Sequence, residues 1–331
     1  MKKIVVAPDS FKGSLTSAEV ADAVERGIKD VFPQCNVVKA GVADGGEGTV
    51  EAIVKAVGGA MYAASVTDPL GRPIKAAYGI VRSGGVKTAV MEMSAASGLP
   101  LLLPDELNPW ITSTYGTGEM ISDALNRGCR KFLVGIGGSA TNDAGTGMLS
   151  ALGVRFLDSR GQRLKGCGRD LESIARIDMS SLMPAARESE FIVACDVNTP
   201  FCGPDGAARV FAPQKGADPQ TTEALDRGMR SFARVIAGQF QTDIVPLSGA
   251  GAAGGLGGAF KAFLNARLTA GIEMVLDAIA FDSLLEGADL VITGEGRIDA
   301  QTAAGKTAAG VLRHAARKGI PVIAIGGSVA M

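Results

Sequence analysis

Five times along this chain a short apolar run breaks off into a polar cluster set among glycines. The clusters are Ala7-Pro8-Asp9-Ser10-Phe11-Lys12-Gly13-Ser14, Ala43-Asp44-Gly45-Gly46-Glu47-Gly48-Thr49, Gly137-Gly138-Ser139-Ala140-Thr141-Asn142-Asp143-Ala144-Gly145, Ala194-Cys195-Asp196-Val197-Asn198 and Thr293-Gly294-Glu295-Gly296-Arg297-Ile298-Asp299. The apolar runs read as strands, and helical patterns follow several of them, which makes an α/β fold. Carboxylates beside amides freed by glycine, at strand ends, suit a site that handles phosphate and a hard metal ion. Phosphoryl transfer is the chemistry such a set predicts.

The alternation is clearest at the start of the chain. Residues 4–7 form a β-branched run, and Thr16 with Glu19 three residues later makes a capping box that opens a helix to about Phe32. Residues 37–42 read as the next strand, and Val50, Ile53, Val54 and Val57 fall on one helical face. From Met61 to Met93 the pattern becomes β-rich, with hairpin turns expected at Asp68-Pro69-Leu70-Gly71 and Ser83-Gly84-Gly85. Further strands are expected at residues 132–136, 191–194, 290–292 and 322–325, with helices at about 118–126, 222–238 and 306–317. A chain of 331 residues with 47% hydrophobic and 20% charged content has room for two buried cores. The expected division is an α/β domain built from both chain ends, residues 1–62 with 286–331, and an inserted mixed α/β domain, residues 63–285.

Composition excludes several classes of partner. Lys plus Arg (33) nearly balance Asp plus Glu (34), so no basic field invites nucleic acid and the substrate is expected to be small. No apolar stretch is long enough to span a membrane, and the apolar run at the N-terminus meets Pro8-Asp9 too soon to be a signal segment. Cys35, Cys129, Cys167, Cys195 and Cys202 are odd in number and form no Cys-x-x-Cys pair, which points to a reducing cytoplasm.

The residues also carry a resemblance. Asp9-Ser10-Phe11-Lys12-Gly13-Ser14, residues 43–49, residues 138–145, Phe211-Ala212-Pro213-Gln214-Lys215-Gly216-Ala217 and residues 293–299 resemble the signature blocks of bacterial glycerate kinases, in the family's order from end to end. The resemblance implies ATP-dependent phosphorylation of D-glycerate, with 2-phosphoglycerate as the usual product of the enterobacterial branch. It also implies a flavodoxin-like domain with an inserted second domain, acting from a cleft between the two. Chains of that family usually continue past the strand at residues 322–325, so the end-built domain is expected to lack its last elements.

Candidate residues follow from the clusters. Asp9 and Lys12 place a carboxylate and an ammonium on one loop, where with Ser10 they can hold a substrate anion. Asp44 and Glu47, with three glycines in the same stretch, exceed what helix capping needs, and Asp44 is the stronger metal candidate. Gly138, Ser139, Thr141 and Asn142 form an expected phosphate nest at a helix start, the alternative being a glycine-rich turn with Asp143 as N-cap. Asp196, at the end of an apolar strand, is expected to be partly desolvated and to accept the proton of the substrate hydroxyl. Glu295 and Asp299 are further magnesium candidates, and Arg297 a candidate for the transferred phosphoryl or the substrate carboxylate.

Rival motifs are weaker. Gly305-Lys306-Thr307 resembles the end of a P-loop, but the pattern needs glycine where Ala300 stands, leaving Lys306 as either a phosphate ligand at a helix start or a surface lysine of its first turn. Gly249-Ala250-Gly251-Ala252-Ala253-Gly254, with Glu273 downstream, matches the dinucleotide pattern and keeps an NAD-dependent dehydrogenase as the alternative. Pro246 interrupts the run before it, so close helix packing is the expected role of these glycines. A small-metabolite binding protein is the third reading. His314, the only histidine, is expected on a packed helix face as a partly exposed structural residue.

Overall fold

The computed structural model describes residues 1–11, 13–43, 45–46, 48–83, 85–298 and 307–330. Among these the strands are β1 (Lys3–Pro8), β2 (Asn36–Lys39), β3 (Ala60–Thr67), β4 (Pro73–Ser83), β5 (Val86–Glu92), β6 (Lys131–Gly135), β7 (Arg155–Leu157), β8 (Arg176–Asp178), β9 (Glu190–Ala194), β10 (Arg267–Thr269), β11 (Leu290–Ile298) and β12 (Val322–Val329). They fall into two compact units. One joins Met1–Gly59 with Ala270–Met331, and the other is Ala60–Thr269. Helix Gly271–Ala278, which the sequence reading assigned to the inserted domain, therefore lies with the chain ends.

The end-built unit carries a sheet of order β12-β11-β1-β2, parallel throughout. β1 is central and buried through Val5, Val6 and Ala7, and its core continues with Ile4, Ala21, Ile28 and Leu290. Helix Ser17–Val31 crosses from β1 to β2. It opens on the expected capping box, in which Thr16 Oγ1 accepts from the Glu19 amide (3.3 Å) and the Thr16 amide donates to Glu19 Oε2 (2.8 Å). This order, with β1 between β2 and β11, is that of a flavodoxin-like sheet and puts the topological switch point between β1 and β11.

The inserted unit has a six-stranded sheet of order β10-β9-β6-β5-β4-β3. β3, β4 and β5 are joined antiparallel by the two expected hairpin connections, while β5, β6, β9 and β10 run parallel. Phe132 on β6 and Phe191 on β9 stand in register and stack at 4.7 Å between ring centroids, and Phe260 of helix Ala252–Leu264 closes over Phe191 at 5.8 Å. Burial of such rings is worth about 1.5–3 kcal/mol each and fixes the register of the two strands whose C-terminal ends bear the polar clusters. Among the described residues no helix is long and apolar enough to cross a membrane.

Candidate active site

In the end-built unit the two strands at the switch point are laced together by side chains. Asp9 follows β1, half-buried. Its amide donates to the Gly294 carbonyl of β11 (2.8 Å), its Oδ1 accepts from the Ser10 amide and its Oδ2 from Thr307 Oγ1, both at 2.6 Å. Thr307 is fully buried at the first turn of helix Thr307–Arg317, and Thr293 Oγ1 donates back to the Ala7 carbonyl (2.8 Å). Asp9 is thus a fixed carboxylate at a strand end, with Ser10 beside it.

The strand carrying the last cluster is longer than the sequence suggested. β11 pairs with β12 as far as Ile298 opposite Val329, so Glu295 and Arg297 stand on a strand and not on a loop beyond it. Pairing with β1 as far as Gly294 and with β12 to the end holds the nine residues extended and overrides glycines that locally favour a turn. Glu295 is 7% exposed and Arg297 is exposed. Lys12, Asp44, Glu47, Asp299 and Lys306 lie outside the described residues. Glu295 is an oxygen donor of the kind magnesium takes. Among the described residues no three acidic, histidine or cysteine side chains cluster as a metal site.

His314 departs from expectation, being 4% exposed and not partly exposed. Its Nδ1 meets Asp282 (2.7 Å) and its Nε2 meets Glu273 (3.0 Å), while Phe281 packs edge-on to the ring. Burial alone would lower its pKa, but the two carboxylates outweigh that and leave it raised. Glu273, which the dinucleotide reading needed for a ribose, also pairs with Arg313 (2.7 Å).

In the inserted unit the cluster after β6 is a loop folded against its neighbours by its carbonyls, with several donors left over. The Gly138 carbonyl accepts from the Leu99 amide (2.9 Å), the Ala140 amide donates to the Ser97 carbonyl, and the Ala140 carbonyl accepts from Thr112 Oγ1 (2.9 Å). The amides of Gly137, Gly138 and Ser139 have no acceptor among the described residues. Gly138 has φ +70°, a left-handed conformation that glycine adopts without strain. Both glycines are exposed and Ser139 is 7% exposed, whereas Thr141 and Asn142 present no surface; the Asn142 amide rests on Met229 Sδ at 3.3 Å. The part of this cluster open to a ligand is therefore residues 137–139.

Asp143 anchors the loop from beneath. Fully buried, it accepts from the Thr114 amide (2.7 Å), Thr114 Oγ1 (2.8 Å) and the amides of Gly145 (3.0 Å) and Gly147 (3.2 Å). It serves the start of helix Thr146–Ala151, although Gly145 occupies the N-cap position. Burial pushes its carboxyl upward, against those hydrogen bonds. Thr112, Ser113 and Thr114 went unmarked in the sequence, where three consecutive hydroxyls before a helix are their signal.

Lys215 is the residue that sequence reasoning missed. It is 1% exposed, and its Nζ donates to Ser139 Oγ and to the Thr141 carbonyl, both at 2.7 Å. Burial holds its ammonium down to about 7, and the charge of Asp143 works the other way. In the sequence Lys215 stands out only as part of the block at 211–217; a lysine beside Gln214 carries no local signal of burial.

Asp196 is exposed just past β9, so the expected desolvation is corrected. The strand is buried only as far as Ala194, and the chain turns outward at Cys195. The glycines at 249–254 serve packing. A Cβ on Gly251 would lie 2.1 Å from the Pro200 carbonyl oxygen, and one on Gly254 would lie 2.2 Å from that of Thr141. No strand of the described residues leads into them, which removes the strand-to-helix context of a dinucleotide fingerprint.

A family model described as the glycerate kinase family matches residues 4–331. The glycerate kinase of Bacillus subtilis (strain 168) is 49% identical over an alignment covering 99% of this chain and 85% of that protein. The glycerate 2-kinase of Escherichia coli (strain K12) is 46% identical, with the same coverage of each. A crystal structure assigned to glycerate kinase 2 of Salmonella typhimurium LT2 matches with a TM-score of 0.93 at 46% identity, covering 99% of this chain and 90% of that one. With the family's pattern running almost from end to end, the chain belongs to the glycerate kinase family.

Proposed function

We propose that this kinase transfers the terminal phosphoryl group of ATP to D-glycerate, giving 2-phosphoglycerate and ADP. The observation that carries the reading is the loop after β6, where three successive amides without an acceptor among the described residues and the Ser139 hydroxyl follow the end of a parallel strand. Donors in that arrangement bind phosphate oxygens and stabilise charge spread over them in the transition state. Gly138 and Ser139 take the phosphate directly, while Thr141 and Asn142 shape the loop from inside.

Phosphoryl transfer asks mainly for positioning and charge neutralisation. Asp9 and Ser10, with Lys12, orient the substrate from the end of β1, and Arg297 and Lys306 supply positive charge. Asp196, exposed past β9, accepts the proton of the attacking hydroxyl. Bound magnesium would neutralise phosphate charge, with Asp44, Glu295 and Asp299 as its carboxylate ligands. Five free cysteines, four of them buried, support a reducing cytoplasm as the setting.

The experiment is an ADP-release assay with ATP, D-glycerate and magnesium together and with each left out. ADP is expected only from the complete mixture, and NAD reduction by D-glycerate would refute the assignment. Product taken to phosphoenolpyruvate by enolase alone identifies the 2-phosphate. A requirement for an added mutase would overturn that regiochemistry.

A further inference from the structure

Lys215 is buried beneath the phosphate loop with its two strongest contacts on that loop and no surface through which to meet a substrate. Its chemistry constrains its neighbour. An ammonium has donors and no acceptor, so Ser139 Oγ, 2.7 Å away, must receive a hydrogen bond from it. The Ser139 hydroxyl hydrogen is then turned away from the lysine, and it has no acceptor among the described residues. It lies in the same few residues as the unpaired amides of Gly137, Gly138 and Ser139.

We propose that Lys215 is a positioning residue that sets the polarity of the phosphate loop: by donating to Ser139 Oγ and the Thr141 carbonyl, it obliges the Ser139 hydroxyl to act as a donor toward the bound phosphate. The inference rests on the phosphotransfer reading above and adds a residue that acts through Ser139 without touching ATP. A neutral amine in the same place would offer a lone pair. The Ser139 hydroxyl would then turn inward, and the loop would lose one donor.

Two further observations agree. Asp143 is the charged group that acts on Lys215, and its hydrogen bonds go to Thr114, Gly145 and Gly147 with no ion pair to the lysine, so no salt bridge among the described residues accounts for the burial of Lys215. Burial also brings the Lys215 proton down to about 7, so the switch in polarity falls within an accessible pH range.

The test measures kcat/KM for MgATP at saturating D-glycerate in wild type, Lys215→Met, Ser139→Ala and the double variant. Methionine matches the length of lysine and is easily buried, and a thermal midpoint for each variant reports on folding. Either single change is expected to lower kcat/KM for ATP by about 10- to 100-fold, the effect of one donor at a phosphoryl centre. The double variant should be no worse than the poorer single one, because both remove the same hydrogen bond. A second measurement leaves the lysine in place: the wild-type to Ser139→Ala ratio of kcat/KM should shrink as pH rises from about 6 to about 8.5, as the buried ammonium loses its proton. Multiplicative losses in the double variant, a folded Lys215→Met with wild-type kcat/KM, or a ratio flat with pH would overturn the inference. An inactive wild type would overturn the phosphotransfer reading instead, so the two failures are told apart.

Discussion

Gly254→Ala tests whether the glycine-rich segment after residue 248 is there to let two backbones meet. Gly254 has φ +68°, and a Cβ added to it would stand 2.2 Å from the Thr141 carbonyl oxygen and 2.6 Å from the Asn142 Cα, backbone atoms that cannot rotate away. Alanine in the left-handed region costs about 1–2 kcal/mol, and forcing atoms into a packed interior about 1–3 kcal/mol more. The neighbouring Ala253 already carries φ 52°, so the strain term is the lesser part and the clash the greater. The variant should lose about 2–5 kcal/mol in all, which for a urea slope of about 2–3 kcal/mol per molar moves the midpoint down by roughly 1–2 M. Relief of the clash pushes on Thr141, whose carbonyl also accepts from Lys215, so kcat/KM for ATP should fall in the protein that remains folded. Gly238→Ala is the control. It lies in helix Pro219–Phe240 with nothing within 4 Å of the point its Cβ would occupy, and should raise stability by about 0.5–1 kcal/mol. Unfolding followed by circular dichroism decides the matter: a Gly254→Ala midpoint equal to wild type would show that the close approach is not what the glycine is for.

Other substitutions separate the proposed roles. Asp196→Asn should lower turnover by about two to four orders of magnitude with ATP binding little changed, whereas Asp44→Asn and Asp299→Asn should raise the magnesium needed for half-maximal rate; rescue of Asp196→Asn by excess magnesium would make it a ligand and not a base. Asp143→Asn puts an NH2 group among amide and hydroxyl donors and should cost about 1–3 kcal/mol by urea titration, with an unchanged midpoint refuting its anchoring role. His314 has its pKa raised above the ordinary 6.5 by Glu273 and Asp282 despite burial, so the protonated ring stabilises the fold. That contribution is complete below about pH 6.5 and is lost as pH rises through the folded-state value, so the stability gap between wild type and His314→Gln, read from thermal midpoints, should narrow toward alkaline pH. A gap constant between about pH 5.5 and 8.5 would refute the charged pairing.

What was legible in the sequence is what local chemistry decides. The Thr16/Glu19 box opens its helix because both hydrogen bonds close within four residues, and the hairpins between β3, β4 and β5 form where Asp68-Pro69 and the glycines at 84–85 break the alternation. The placement of Asp9 and of the loop after β6 was readable for the same reason: each follows a buried β-branched or aromatic run directly. β11 was misjudged in length because Gly294 and Gly296 weaken a strand locally, and beyond Gly294, where β1 ends, the pairing with β12, supplied by residues 322–329, holds it extended.

Burial of a charge is a property of the fold, and this is why the two least legible residues lie on opposite sides of one expectation. Asp196 follows the apolar run at 191–195 and was expected to be partly desolvated, yet full burial ends at Ala194 and Asp196 is exposed. Lys215 sits among small residues in a short turn, where nothing local marks it as enclosed, yet it is sealed against the loop at 137–143. Its Nζ is 76 residues from Ser139 in sequence, a separation across which no periodicity or spacing rule reaches. A lone proton-bearing side chain sealed against that loop costs desolvation energy that an apolar residue would not. A lysine kept there despite that cost is accounted for by what an apolar residue cannot do, which is to donate to Ser139 and leave its hydroxyl facing outward.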